Sequence, residues 1–305
     1  MFTSIKTELK TWLLTGRAVF MLLFALISFI AFSINSISSL KVLSDGFYFT
    51  EQLISDDKIM EEKLQKPLMD KSGDINTLLQ NKLKMEEILF VLSSDNAFVM
   101  CEEVGLYVLP LILSVIGALT ICRDQSTKVL RIRISREGKW RYFIAKQLVM
   151  VFCSIGLIFL AIILYKSVSN AFFEKAASLV ISKYIDTSGT GRFDFINGPL
   201  RMVFFLLFII IFLEIGFCLG YISKTHIIPV AITGFFWYFN LLPTFYEPKN
   251  ATYNIAMRLF TFVGTVPNGI VSEISLQSSV IIFLLMMFIP MVLFIIVYNN
   301  RSVYE

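Results

Sequence analysis

The sequence predicts an all-α polytopic membrane protein. It is expected to have six transmembrane helices, an N-terminal interfacial amphipathic helix, an external helical hairpin and a re-entrant segment before the last span. Three observations carry this. Hydrophobic residues make up 56% of the chain against 16% charged, with a mean hydropathy of +0.73, which fits a chain whose solvent is largely lipid. Six stretches, at 18–40, 104–122, 147–165, 202–223, 227–246 and 274–300, are close to the length that crosses a hydrocarbon core. Basic residues gather in the short segments on one side of these runs, and an acidic excess lies on the other.

Taken in order, residues 1–17 place Phe2, Ile5, Leu9, Trp12 and Leu13 on one helical face, with Lys6 and Lys10 elsewhere. That spacing predicts a helix lying in the interface, with a basic tail as the alternative. Glu8 and the span that follows directly argue against a targeting helix. The run at 18–40 is too long for a cleaved signal peptide and has no small-x-small cleavage site, so it is expected to stay as the first span.

Between the first two spans, residues 41–103 carry seven Lys and thirteen Asp or Glu, a net of −6. Phe49, Leu53, Met60 and Leu64 recur at near-helical intervals. After Pro67 and Gly73, so do Ile75, Leu78, Leu79, Leu83 and Leu89. This predicts a helical hairpin turning around 68–73. Its acidic face suits either plain solvation or the capture of a cationic ligand.

The segment 123–146 after the second span holds eight Lys or Arg against Asp124 and Glu137, a net of +6. Short basic loops decide orientation, so this loop is expected in the cytoplasm together with Lys6, Lys10, Arg17, the turn 224–226 and the tail 301–305. Both termini are then cytoplasmic and 41–103 is external. The external segment 166–201 contains Gly189, Gly191, Gly198 and Pro199 and predicts a loop of low regularity. Within 247–273, the apolar stretch at 257–264 is too short to cross and predicts the re-entrant piece. The run at 274–300 exceeds what a bilayer requires, so its ends tilt or emerge.

Several chemistries find no support. The chain has no G-x-x-x-x-G-K-[ST] phosphate loop, no H-E-x-x-H, no metal-spaced Cys/His cluster and no G-x-S-x-G. No cofactor or metal is therefore expected in this chain, and no clustered constellation supports an intramembrane enzyme. Cys101, Cys122, Cys153 and Cys218 lack C-x-x-C spacing and read as packing thiols. The one histidine, His226, sits in the turn after the fourth span, and an interfacial position explains it. The basic loop lacks aromatic interleaving, so nucleic acid is not an expected partner, whereas membrane lipid is. Arg201 and Lys166 lie at span ends, where snorkelling accounts for them. Asn250-Ala251-Thr252 forms a glycosylation sequon with nothing else to support it. Glu214 is the acidic residue deep inside a span. It reads either as a pathway or gating residue, or as a protonated carboxyl hydrogen-bonded across helices.

This layout resembles a type-2 ABC exporter permease across essentially the whole chain. Locally, the resemblance rests on Asp124, Ser126-Thr127, Leu130, Ser135-Arg136 and Lys146, with Ser126 where Gly is common and Asp124 where Glu is common. It implies a coupling helix in the loop after the second span, gripped by a separate ABC ATPase subunit that carries ATP-Mg. It also implies a second permease chain, as homo- or heterodimer, in the bacterial cytoplasmic membrane. Asp124, Thr127, Leu130, Arg131, Arg133, Ser135 and Arg136 are the expected coupling residues. Val129, Leu130, Ile132 and Ile134 alternate with Lys128, Arg131, Arg133 and Arg136, which offers apolar anchors and charges for an acidic rim. The expected cargo is an amphipathic or antimicrobial peptide or another hydrophobic compound. The alternative is a stand-alone membrane immunity or sensor protein that binds a cationic peptide through its acidic hairpin.

Overall fold

The computed structural model describes residues 2–53, 74–127, 129–180, 183–187, 198–238, 247–260 and 274–300, and these are helical with no strand among them. Their helices are α1 (Phe2–Leu14), α2 (Arg17–Leu53), α3 (Asp74–Leu92), α4 (Ala97–Ser126) and α5 (Val129–Glu137). They continue as α6 (Lys139–Ala177), α7 (Gly198–Ser223), α8 (Ile227–Tyr238), α9 (Pro248–Leu259) and α10 (Leu276–Asn300). Five of them, α2, α4, α6, α7 and α10, are long and apolar enough to cross a membrane, which is the build of a multi-pass membrane protein. The expected fifth span is described only as the 12-residue α8, and residues 239–246 lie outside the described set.

The helices outrun the apolar stretches that mark them. At a rise of 1.5 Å per residue, the 37-residue α2 is about 55 Å long and the 39-residue α6 about 58 Å, against a hydrocarbon core of about 30 Å. The α6 helix therefore takes up part of the expected loops on both sides of 147–165. Gly198 and Pro199, expected in a loop of low regularity, instead open α7, where proline suits a first turn. The rest of that loop, 188–197, lies outside the described residues, as do the hairpin turn at 68–73 and most of the re-entrant segment at 261–273.

Of the expected hairpin, the second arm is α3, whereas the first is described only as far as Leu53 at the end of α2, and 54–73 lie outside the described residues. Beyond the span, α2 packs with α3 and the far end of α6 around Leu40, Phe47, Leu78, Met85, Leu89 and Ala176, an apolar core separate from that of the spans. Ser44 donates to the Leu179 carbonyl at 2.9 Å and closes this package.

At the centre, α4 packs on α2, α6, α7 and α8. Its seam with α7 brings backbones into contact: a Cβ on Gly216 would run into the Ser114 carbonyl, and one on Gly117 into the Leu213 carbonyl. Small residues at such a seam let dispersion and polar ties hold helices together where lipid offers no hydrophobic drive. Thr233 of α8 donates to the Ser114 hydroxyl at 2.9 Å. Asn254 of α9 spans to the Ile274 carbonyl at 2.7 Å and the Ser279 hydroxyl at 2.8 Å, fixing the start of α10. The sequon residue Asn250 is buried and donates to Glu247, which leaves its amide no room for a glycan in this fold.

Candidate functional site

The basic end of the bundle is built at two glycine turns. Gly16 (φ 73°) and Gly138 (φ 84°) adopt left-handed backbone that other residues resist, so α1 folds back before α2 and α5 before α6. Both short helices are thereby laid against the first turns of long ones.

The stripe of α1 that is buried against the chain shares only Ile5 and Trp12 with the predicted apolar face. Ser4, Glu8 and Trp12 point inward, Ile5 is half-buried, and Leu9 and Leu13 are 41% and 55% exposed; the Phe2 side chain lies outside the described set. A carboxylate occupies the inward face because cations await it there. Glu8 is ion-paired with Arg133 of α5 and lies 3.7 Å from the Lys146 ammonium of α6.

Asp124, at the end of α4, completes the cluster. It accepts from Lys146 and from the Tyr142 hydroxyl, and Arg133 stands 4.0 Å away. Tyr142 and Lys146 are four apart on α6 and so share a face. The Tyr142 ring lies under Arg133 at 5.0 Å and Lys146 at 5.1 Å. Lys146 is only 2% exposed, and Glu8 and Asp124 together balance Lys146 and Arg133. Beside them, Arg17 at the start of α2 donates to Thr120 of α4 at 3.4 Å. Buried charges survive only when paired and hydrogen-bonded, so this cluster ties α1, α4, α5 and α6 into one body. Removing one partner costs about 3–5 kcal/mol, whereas an exposed pair costs well under 1.

The other side of α6 is clamped by aromatics. Phe143 meets Phe217, Tyr221, Phe294 and Tyr298 edge-on, with centroids 4.8–6.1 Å apart. Lys139 donates to the Tyr298 carbonyl at 2.6 Å, tying α6 to the end of α10.

The predicted coupling residues divide between the two faces of α5 and its flanks. Arg133 and Asp124 join the buried cluster, and Leu130 packs half-buried against the core. Val129, Ile132, Ser135 and Arg136 remain exposed, with Ile132 at 54%. Ser135 returns its hydroxyl to the Ile132 carbonyl, and Thr127 caps α4 by donating to the Arg123 carbonyl at 2.8 Å. Arg131 lies on α5 with its side chain outside the described set. The apolar–basic alternation read along 127–136 is thus rearranged by helical periodicity: Leu130 and Ile134 turn inward, while Val129 and Ile132 turn outward.

No family model, curated protein or solved structure matches the chain.

Glu214 stands apart from this cluster. It is buried on α7, where it accepts from the Gln147 amide of α6 at 3.0 Å, and it does not line the apolar groove beside α7. At the acidic end, Arg201 is ion-paired with Glu102 at 2.6 Å and lies over the Phe260 ring at 5.6 Å, so it does more than snorkel. Lys166 is exposed. Among the described residues, no three His, Cys, Asp or Glu side chains come together as a metal site.

Sequence reasoning missed Glu8 and Tyr142 as members of the cluster. A signal existed for each: Glu8 is the one acid among the basic residues of 1–17, and Tyr142 precedes Lys146 by one helical turn.

Proposed function

We propose that this chain is the membrane-spanning permease subunit of an ATP-driven type-2 ABC exporter, paired with a second permease chain and served by separate ATPase subunits. The observation that carries this reading is the two-sidedness of α5. Its inner face is ion-paired to α1 and α4 and rests on the Tyr142 ring of α6, while its outer face presents Val129, Ile132, Ser135 and Arg136, which among the described residues have no partner beyond local helix bonds. A short helix so arranged can receive a push from outside and pass it to the spans.

In this reading the basic end faces the bacterial cytoplasm with both termini, and ATP-Mg belongs to the partner. Closure of the ATPase on ATP presses the outer face of α5. Because α5 cannot move without Glu8, Asp124 and Lys146, α1, α4 and α6 move with it. ATP then shifts the balance between inward- and outward-facing forms through its differential hold on them. Glu214 serves as a tie between α6 and α7. The cargo is an amphipathic or antimicrobial peptide or a similar hydrophobic compound, met on the outside by the acidic package of α2, α3 and α6.

That external package, with its own core, also favours a second reading: a stand-alone immunity or sensor protein that captures a cationic peptide. Reconstitution separates the two. Sealed vesicles holding the chain and its ATPase should move a labelled cationic amphipathic peptide only with ATP. Protection conferred by the chain alone, without an ATPase, would select the second reading.

A further inference from the structure

An apolar cavity of about 450 Å³ opens on the side of the bundle between α7, α8 and α10. Its walls include Phe212, Leu219, Phe236, Trp237, Met286 and Ile289. Thr233 and Trp237 are the lining residues with a polar side-chain atom: the Thr233 hydroxyl is already taken by Ser114 at 2.9 Å, and the Trp237 indole N–H is buried with no partner among the described residues. Apart from that one indole N–H the walls are hydrocarbon, so the site selects for an occupant that is itself mostly hydrocarbon.

Depth and surroundings narrow the choice. Phe212 and Ile215 lie near the middle of α7, and Met286 and Ile289 near the middle of α10, so the cavity sits about halfway through the hydrocarbon. Its rim is apolar and open: Phe236 is 41% exposed, Leu285 46% and Ile289 53%. At that depth the medium against the rim is lipid tail, as apolar as leucine. We infer that this cavity is a binding site for one acyl chain of a membrane lipid, held between α7, α8 and α10. The inference rests on membrane embedding and not on the exporter reading. An inserted chain would support α8, which ties into the central helix α4 through Thr233.

The test uses Trp237, which lines the cavity and is 2% exposed. The full chain carrying Trp12→Phe and Trp140→Phe keeps Trp237 as its only indole. It is reconstituted in phosphatidylcholine vesicles with bromines at mid-chain. Trp237 should be quenched at low fractions of brominated lipid, in a saturable manner. Ile232→Phe with Ile289→Phe, which narrows the cavity, should abolish the saturable part. Quenching that is linear in brominated lipid and indifferent to filling would mean bulk lipid only and would overturn the inference. Absence of quenching would overturn it too, with self-association then covering the face. In parallel, the unaltered chain is photolabelled by a lipid with a mid-chain diazirine and mapped by mass spectrometry. Labels concentrated at Leu219, Phe236 and Met286 support the site, and labels spread evenly over the exposed faces of α2 and α10 contradict it.

Discussion

Arg133 on α5 is ion-paired with Glu8 on α1, 125 positions earlier in the chain, and the same guanidinium reaches to within 4.0 Å of Asp124 on α4. One side chain thus holds the shortest helix of the basic end against two others. If the pair fastens α5 to the spans, Glu8→Gln or Arg133→Gln should each cost about 3 kcal/mol, because a buried charge is left behind. The double variant should cost clearly less than the sum, since both charges leave together. Thermal unfolding of the purified chain in mild detergent measures both, and strict additivity would mean that the pair contributes nothing of its own.

The contact of α4 with α7 makes a steric prediction. Gly216→Ala would drive a methyl into the Ser114 carbonyl, a backbone atom that cannot swing aside, and should destabilise by about 3 kcal/mol. Gly156 on α6 meets nothing, so Gly156→Ala should be neutral or stabilise by up to about 1 kcal/mol through helix propensity. The same melts compare them, and equal effects would contradict the seam.

A pH effect is expected in the package of α2, α3 and the far end of α6. Burial lifts the Glu87 carboxyl of α3 above its ordinary range, with Lys84 pulling it partly back. A carboxyl raised in the fold favours its protonated form. Its contribution is therefore full below the unfolded pKa of about 4.3 and is lost as pH rises through the folded value. Glu87→Gln should melt like the parent near pH 4 and above it near pH 7. A gap that shrinks with rising pH would reverse the sign and refute the assignment.

The sequence shows the positions of the spans more clearly than the lengths of the helices. An apolar run reports the thickness of the hydrocarbon, and α6 runs on at both ends because Lys139, Arg141 and Lys146 at one end, and Lys166, Glu174 and Lys175 at the other, continue the helix where lipid stops. The pairing of Glu8 was hidden for a different reason: its partners come from α5 and α6, far along the chain, and periodicity in 1–17 marks an apolar stripe rather than a charge brought inward. Asp124, Arg133 and Lys146 were visible as residues of the basic loop, but their convergence depends on the turns at Gly16 and Gly138. The close seam did leave a trace, since Gly216 and Gly220 stand four apart in the fourth run.

The central claim is that the outer face of α5 receives the force of a separate ATPase. The most direct measurement is co-purification from native membranes in mild detergent, comparing the tagged chain with Ile132→Asp and Arg136→Glu. Both positions are exposed, so these changes should shift stability by no more than about 0.5 kcal/mol. The account predicts that the unaltered chain brings down a phosphate-loop ATPase and that the equally stable variants lose it. A well-folded chain that recovers no ATPase, or variants that retain it undiminished, would contradict the account.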